Sequence, residues 1–219
     1  MTRLDRQGLA LALLLAAMAG FVDVIAFLAL GGFFASFMSG NSTRLAIGIV
    51  DDPPAMRVAL SLILAFLGGV VGATLAARFA TRSAVAGGRH QPAILALVTM
   101  LLGTCAMTAS QGAMAPLLLL AAAMGAVNTL FERDGEVAVA LTYMTGNLVR
   151  LGQAIAAMLT GSGDVRRLAT LGTMWASFLI GGLAGALSYR HLALDALWVA
   201  AGLSATLMTW TLLTGRRAA

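Results

Sequence analysis

The stretch MSGNSTR at residues 38–44 lies within strongly apolar sequence, and its pattern returns in the second half of the chain as MTGNLVR at residues 144–150. Both copies read M-[ST]-G-N-x-x-R. Placing Asn, Ser or Thr and a permanent cation in lipid is energetically expensive, so such residues usually face a protein interior or an aqueous cavity. Two copies indicate duplication of a three-helix unit, a common way of building transporters. The repeated motif therefore predicts movement of a solute without naming it.

The composition around these motifs is that of an integral membrane protein. Of the 219 residues, 60% are hydrophobic and 11% are charged, with a mean hydropathy of +0.92, whereas about a quarter of the residues of a soluble domain are charged. The net charge of +5 comes from 14 basic residues, all of them Arg. In a membrane protein this excess usually marks cytoplasmic loops. No basic surface interleaved with aromatic residues is present, so we expect no nucleic-acid partner.

Six segments are long and apolar enough to be predicted as spans; they lie at about 8–30, 57–80, 91–109, 115–131, 169–190 and 195–214. The motif stretches, at about 33–50 and 137–160, decide the topology. If both cross the membrane, seven Arg lie inside and five outside. If both enter and return to the same side, ten lie inside and only Arg57 and Arg190 lie outside. The positive-inside rule favours the second arrangement. We therefore predict six spans, two broken or re-entrant motif segments, and both termini in the cytoplasm.

Three spans per half make the predicted repeat an inverted one, because the two halves then enter the membrane in opposite directions. Within a single membrane domain, 1–219, repeat one covers about 8–109 and repeat two about 115–214. Further matched features support the duplication: G-x-x-D at residues 20–23 against G-x-x-N at 125–128, and after each motif a Phe-Leu pair followed by glycines. Gly68 with Gly72, and Gly181 with Gly185, form G-x-x-x-G patterns that allow close helix packing and suggest a surface for homo-oligomerisation.

The N-terminal half also resembles a known family. The runs AGFVD at residues 19–23 and GGFFASFMSGNSTR at residues 31–44 are similar to those of the YoaK-like family. These are small bacterial inner-membrane proteins with six spans, and the family is defined as a domain of unknown function. The resemblance covers essentially the whole chain and implies a bacterial inner-membrane, multi-pass location. It implies no catalytic residues, no cofactor and no substrate.

The polar residues of the motifs are the leading candidates for a solute site. Asn41 and Asn147, with Ser39 and Thr145 beside them, either line a polar path or cap and cross-link helices. Arg44 and Arg150 lie one turn further on the same helix face. They either bind an anionic group, which suits the guanidinium fork, or extend to the lipid headgroups or a buried acid.

A carboxylate near the first motif completes the candidate site. Asp23 lies in the middle of the first predicted span, where an isolated carboxylate protonates or finds a cation. We expect it to pair with Arg44 or Arg150, or to carry a coupling proton or sodium ion. Asn128 occupies the matching position, so the repeat itself does not require an acid. The predicted substrate-binding residues are Asp23, Ser39, Asn41, Arg44, Asn128, Thr145, Asn147 and Arg150.

These features predict a secondary transporter for a small polar or anionic solute, with the site between the two repeats. A channel with paired re-entrant segments and a non-transport membrane assembly protein remain as alternatives. An enzyme is disfavoured, because the sequence shows no nucleophile–base pair and no cluster with metal-ligand spacing. Nucleotide-driven transport is disfavoured as well, because a Walker pattern is absent. We predict neither a cofactor nor a metal.

Overall fold

Helices account for nearly all of the described chain. The computed structural model describes residues 6–82, 90–109, 114–133, 136–137 and 143–215. Within these ranges the α-helices are α1 Arg6–Ala29, α2 Met38–Val50, α3 Pro53–Arg82, α4 Gln91–Thr108, α5 Met114–Val127, α6 Met144–Leu159, α7 Val165–Leu192 and α8 Leu197–Gly215. A two-residue antiparallel pair joins Glu132–Arg133 to Glu136–Val137, and a 3₁₀ turn, Ala193–Ala196, separates α7 from α8. The prediction of an all-α membrane protein is confirmed.

The longest apolar helical segments are the candidates for membrane spans. Four segments in the described residues are long and apolar enough to cross a bilayer: Arg6–Ala29, Pro53–Ala80, Gln91–Thr108 and Val165–Thr214. The last of these contains both α7 and α8. A shorter apolar helix runs over Pro116–Val127 within α5. Helices thus occupy all six segments that were predicted as spans, and α2 and α6 occupy the motif stretches.

The core is built around α1. Its side chains are buried along much of its length, among them Leu15, Val22 and Ile25, whereas α3 exposes large apolar side chains such as Leu64, Val71 and Phe79. Exposed apolar side chains on a long helix fit a surface in contact with lipid. The central position of α1 brings the polar Asp23, which is 5% exposed, into the interior of the fold.

Two close helix crossings hold the fold together, and each joins one half of the sequence to the other. In the first, α1 meets α7: a β-carbon added at Gly20 would overlap the carbonyl of Phe178, and one added at Gly181 would overlap the carbonyl of Ala17. Only glycine allows backbones to approach this closely. The second crossing, of α3 with α5, places Gly125 against the carbonyl of Phe66.

On α3 the close contact is made by Gly69, which lies against the carbonyl of Ala122, and not by the predicted pair Gly68 and Gly72. Gly68 is exposed and has open space where a β-carbon would be. Successive residues of an α-helix are about 100° apart around the axis. The close contact on α3 therefore lies one residue from the predicted pair, which turns Gly68 away from α5, whereas the predicted Gly181 and Gly185 both lie against the backbone of α1. The counterpart of Gly181 in the first half is thus Gly69.

Candidate functional site

The two motif helices begin in the same way. The first helical residue of α2 is Met38 and that of α6 is Met144. The residues before them, Phe37 and Tyr143, have nearly the same backbone angles, with φ −83° and ψ 75° in one and φ −83° and ψ 62° in the other, and neither caps its helix with a side chain. The first backbone amides of such a helix carry partial positive charge and lack intrahelical partners. Both motifs therefore present a helix N-terminus without a side-chain cap.

The motif glycine is required by the aromatic residue three positions earlier. A β-carbon at Gly40 would collide with the ring of Phe37, and one at Gly146 would collide with the ring of Tyr143. The motif is thus better written [FY]-M-[ST]-G-N-x-x-R. Sequence reasoning missed this aromatic residue, although it occupies the same position in both copies.

Asn41 is completely buried and binds the loop that precedes its own helix. Its Oδ1 accepts a hydrogen bond from Phe34 N at 3.0 Å, and its Nδ2 donates to Phe34 O at 2.7 Å. The Phe34 ring packs against the rings of Phe27 and Phe37, with centroids 5.1 Å and 5.2 Å away. Asn41 therefore holds the backbone of the loop between α1 and α2 in place.

Asp23 holds the same loop from the side of α1. Its Oδ1 accepts from Ser36 N at 2.6 Å and its Oδ2 accepts from Ser36 Oγ at 2.5 Å. Both carboxylate oxygens of Asp23 are thus hydrogen-bonded to Ser36. Within the described residues Asp23 forms no ion pair with Arg44 or Arg150. Ser36, which is 5% exposed, was not identified from sequence. An isolated Ser in an apolar run carries no signal of its own.

Arg44 covers the start of the loop. Its guanidinium carbon lies 4.7 Å from the centroid of the Phe33 ring, a cation–π distance. The guanidinium also occupies the space where a β-carbon of Gly32 would be, and Gly32 has a φ of +100° that favours glycine. Three predicted site residues of the first half, Asp23, Asn41 and Arg44, are therefore brought together by the loop of residues 31–36. Ser39 lies apart from them and is exposed.

The matching residues of the second half are arranged differently. Asn147 is 8% exposed, and its Nδ2 donates to Leu171 O on α7 at 3.3 Å. Asn128 donates to Met124 O one turn back on α5 at 2.9 Å. Thr145 and Arg150 are exposed. The residues ahead of α6 at 138–142 lie outside the described part of the chain.

The two motif helices pack mainly on the helices that follow them, α2 on α3 and α6 on α7. Among the described residues, α2 and α6 make no extensive contact with each other. The predicted site residues therefore form a first-half cluster around the loop and a second-half set on α5 and α6.

Comparison with known proteins identifies the family of the chain. The model of a family described as "Protein of unknown function (DUF1275)" matches residues 11–210, and the chain belongs to this family. A curated relative, "UPF0700 transmembrane protein RA0705" of Rhizobium meliloti (strain 1021), is 32% identical over 209 residues, which cover 94% of this chain and 87% of that protein. No solved structure matches the chain. The resemblance to a family of membrane proteins of unknown function is thereby confirmed.

Proposed function

We propose that this member of the DUF1275 family of membrane proteins is a secondary transporter that binds a small polar or anionic solute between its two repeats. The observation that carries the proposal is the pair of equivalent helix starts at Met38 and Met144. Each helix begins without a side-chain cap, a buried Asn follows three residues later, and an Arg lies one turn beyond that Asn. Broken helices whose N-termini lie within the protein are the usual binding elements of secondary transporters.

The proposed topology has six spans and two re-entrant segments. With 13 and 16 residues, α2 and α6 are about 20 and 24 Å long, too short for a hydrocarbon core of about 30 Å. Asp23 lies six residues, or about 9 Å along the axis, before the end of α1 at Ala29. Because Ser36 binds Asp23, the chain after α1 returns toward the interior before α2 begins. This supports a segment that enters and leaves on the side where α1 ends.

The inverted repeat follows from the same topology, with both termini in the cytoplasm and the protein in the bacterial inner membrane. Corresponding residues of the two halves make corresponding crossings: Gly20 against α7 and Gly125 against α3. These contacts also suggest which parts move. Because α1 is locked to α7 and α5 to α3, alternating access would move the α1–α7 pair against the α3–α5 pair, rather than one sequence half against the other.

Asp23 is the proposed site of a coupling ion. A proton or sodium ion on the carboxylate would weaken its two hydrogen bonds to Ser36 and so release the loop of residues 31–36. The loop also carries the partners of Asn41 and Arg44. Ion binding would thus be linked to the first motif helix through contacts that are present in the fold.

Flux in proteoliposomes tests the transport proposal. Solutes are first selected by thermal stabilisation of the purified protein, since a ligand raises stability in proportion to RT ln(1 + [L]/Kd). Each stabilising solute is then used in labelled form to measure uptake into proteoliposomes, and counterflow is measured with vesicles that are loaded with the unlabelled solute. Saturable uptake with counterflow is the expected result, whereas electrical current without saturation or counterflow would favour the alternative of a channel. Binding without any flux would favour a membrane assembly protein and overturn both.

A further inference from the structure

The first motif shows what its asparagine recognises. The amide of Asn41 makes two hydrogen bonds to a single residue, accepting from Phe34 N and donating to Phe34 O. These two groups flank one α-carbon. The same arrangement of a nitrogen donor and an oxygen acceptor around one carbon occurs in a free α-amino acid, as its ammonium and its carboxylate. A motif asparagine is therefore a two-point receptor for an amino-acid backbone.

In the second motif the corresponding atoms of Asn147, its Oδ1 and one hydrogen of its Nδ2, are unoccupied among the described residues. Asn147 is 8% exposed and uses one amide hydrogen for Leu171 O. Its Oδ1 and its second amide hydrogen have no partner among the described residues. These atoms are not sealed away, because no fully buried side-chain polar atom lacks a partner in that part of the chain. A largely buried amide that uses one of its two hydrogens and neither lone pair of its oxygen among the described residues favours binding of a polar ligand.

The surroundings of Asn147 suit a carboxylate in addition. Arg150 lies one turn further along α6 and is exposed, whereas its counterpart Arg44 is placed over Phe33. The N-terminus of α6 has no side-chain cap and adds partial positive charge. A guanidinium and a helix N-terminus both stabilise a carboxylate.

We propose that α6 binds a free α-amino acid, with the ammonium donating to Asn147 Oδ1 and the carboxylate accepting from Asn147 Nδ2 and from Arg150. This inference rests on the proposed transport function, names the class of its solute, and places the polar end of that solute on the second repeat. The amino acid binds Asn147 in the same way as the backbone of Phe34 binds Asn41. In the first motif the backbone of Phe34 occupies the asparagine, so that motif has a structural role. In the second motif the asparagine binds the amino acid.

The single cysteine provides the readout. Cys105 is the only cysteine in the sequence and is fully buried, so a maleimide dye reacts as the purified full-length protein melts in detergent. The probes are the standard amino acids, each compared with its methyl ester, which lacks the carboxylate, and its N-acetyl derivative, which lacks the ammonium. We expect at least one amino acid to raise Tm by roughly 5–10 °C at a hundredfold excess over Kd. Both of its blocked derivatives should shift Tm far less.

Matched variants locate the site. Asn147→Ala and Arg150→Gln should each weaken the response to the amino acid at least tenfold, and Arg150→Lys should keep part of it. Asn41→Ala should lower the Tm of the ligand-free protein and keep the amino-acid shift. If no amino acid stabilises the protein and Asn147→Ala lowers Tm as much as Asn41→Ala does, the chain's own backbone occupies Asn147 and the inference is overturned.

The outcomes also separate this inference from the transport proposal. Stabilisation by amino acids that depends on Asn147, with no uptake into proteoliposomes, would keep the site and reject transport. Saturable uptake of another solute, with no response to amino acids, would keep transport and reject the amino-acid site. Stabilisation that is unchanged in Asn147→Ala would place the amino acid elsewhere and reject the inference.

Discussion

At the scale of single residues, the two motif asparagines show how one sequence pattern serves two different sets of contacts. Asn41 makes two hydrogen bonds to the backbone of Phe34 and a longer contact with Met38 Sδ, and Asn147 donates to Leu171 O on α7. The two side chains are similarly buried, so burial does not distinguish them. What distinguishes them is how many backbone groups each removal would leave without a partner.

Alanine substitution should therefore affect the stability of the two halves unequally. Asn41→Ala leaves Phe34 N and Phe34 O without their partner, and each unsatisfied backbone group costs about 1–3 kcal/mol. We expect the free energy of unfolding to fall by about 2–4 kcal/mol in Asn41→Ala and by about 1 kcal/mol in Asn147→Ala, which removes a single hydrogen bond to a helix carbonyl, Leu171 O. Melting followed by dye reaction at Cys105 measures both.

A control on the same helix is Ser42→Ala. Ser42 is exposed and bonds only Met38 O one turn back, so its loss should change the free energy of unfolding by no more than about 0.5 kcal/mol. Equal losses in Asn41→Ala and Asn147→Ala would contradict the assignment of Asn41 to the loop.

The carboxylate of Asp23 provides a second test at this scale. Asp23→Asn keeps the shape and one acceptor for Ser36 N, and its amide can donate to Ser36 Oγ in place of accepting from it. We expect the variant to fold with a Tm somewhat below that of the wild type, because its bonds to Ser36 no longer involve a charged acceptor, and to lose the dependence of uptake on pH or sodium. Uptake measured across pH, with and without sodium, decides this. An unchanged response in the variant would make Asp23 purely structural.

The reciprocal substitution, Asn128→Asp, should be tolerated less well. The amide of Asn128 donates to Met124 O at 2.9 Å, and an aspartate in its ionised form cannot donate. The new carboxylate would face a carbonyl oxygen in a half-buried position. We expect lower yield and a lower Tm than for Asp23→Asn. A variant as stable as the wild type would show that this position accepts an acid.

At the scale of helices, the glycines on α3 provide a matched pair within one element. Gly69→Ala would force a β-carbon into the carbonyl of Ala122 on α5, whereas Gly68→Ala would place it in open space. Both changes bring the same gain in helix propensity, about 1 kcal/mol. We expect Gly68→Ala to melt at or above the wild-type temperature and Gly69→Ala to lose folded protein in the membrane. Equivalent behaviour of the two variants would show that the α3–α5 crossing is misplaced.

The same helices show how far sequence alone can reach. The helical segments, the duplicated motif and its Asn and Arg were all predictable, because apolar run length and repeated polar residues are local signals. The contact of Asp23 with Ser36 was not predictable, because it depends on the path of a loop thirteen residues later. The choice of Gly69 over Gly68 depends on the rotation of α3 about its axis, which packing against α5 determines and local pattern does not.

At the scale of the whole molecule, helices of one sequence half pack against helices of the other half. The first helix of each half crosses the third helix of the other, α1 with α7 and α5 with α3. The last helices of the two halves, α4 and α8, pack on one another, and α4 packs on α5 as well. A hydrogen bond between Thr99 Oγ1 and Ser204 Oγ, at 2.8 Å, joins α4 to α8. Packing of this kind makes each half dependent on the other for its core. A single half should therefore not fold alone, in contrast to two domains joined by a linker.

The direction in which each half enters the membrane is the last test, and it concerns the ends of α2 and α6. If both motif segments are re-entrant, the turn after α2 lies in the periplasm and the turn after α6 in the cytoplasm. Single cysteines at Pro54 and Ser162, both exposed, should then label from opposite sides in a Cys105→Ala background. Ser162 is preferred to Gly163, where a β-carbon would collide with Met158. An impermeant maleimide on intact and on permeabilised cells measures the sides. Labelling of both positions only after permeabilisation would mean that α2 and α6 cross fully, giving eight spans and two halves of the same orientation.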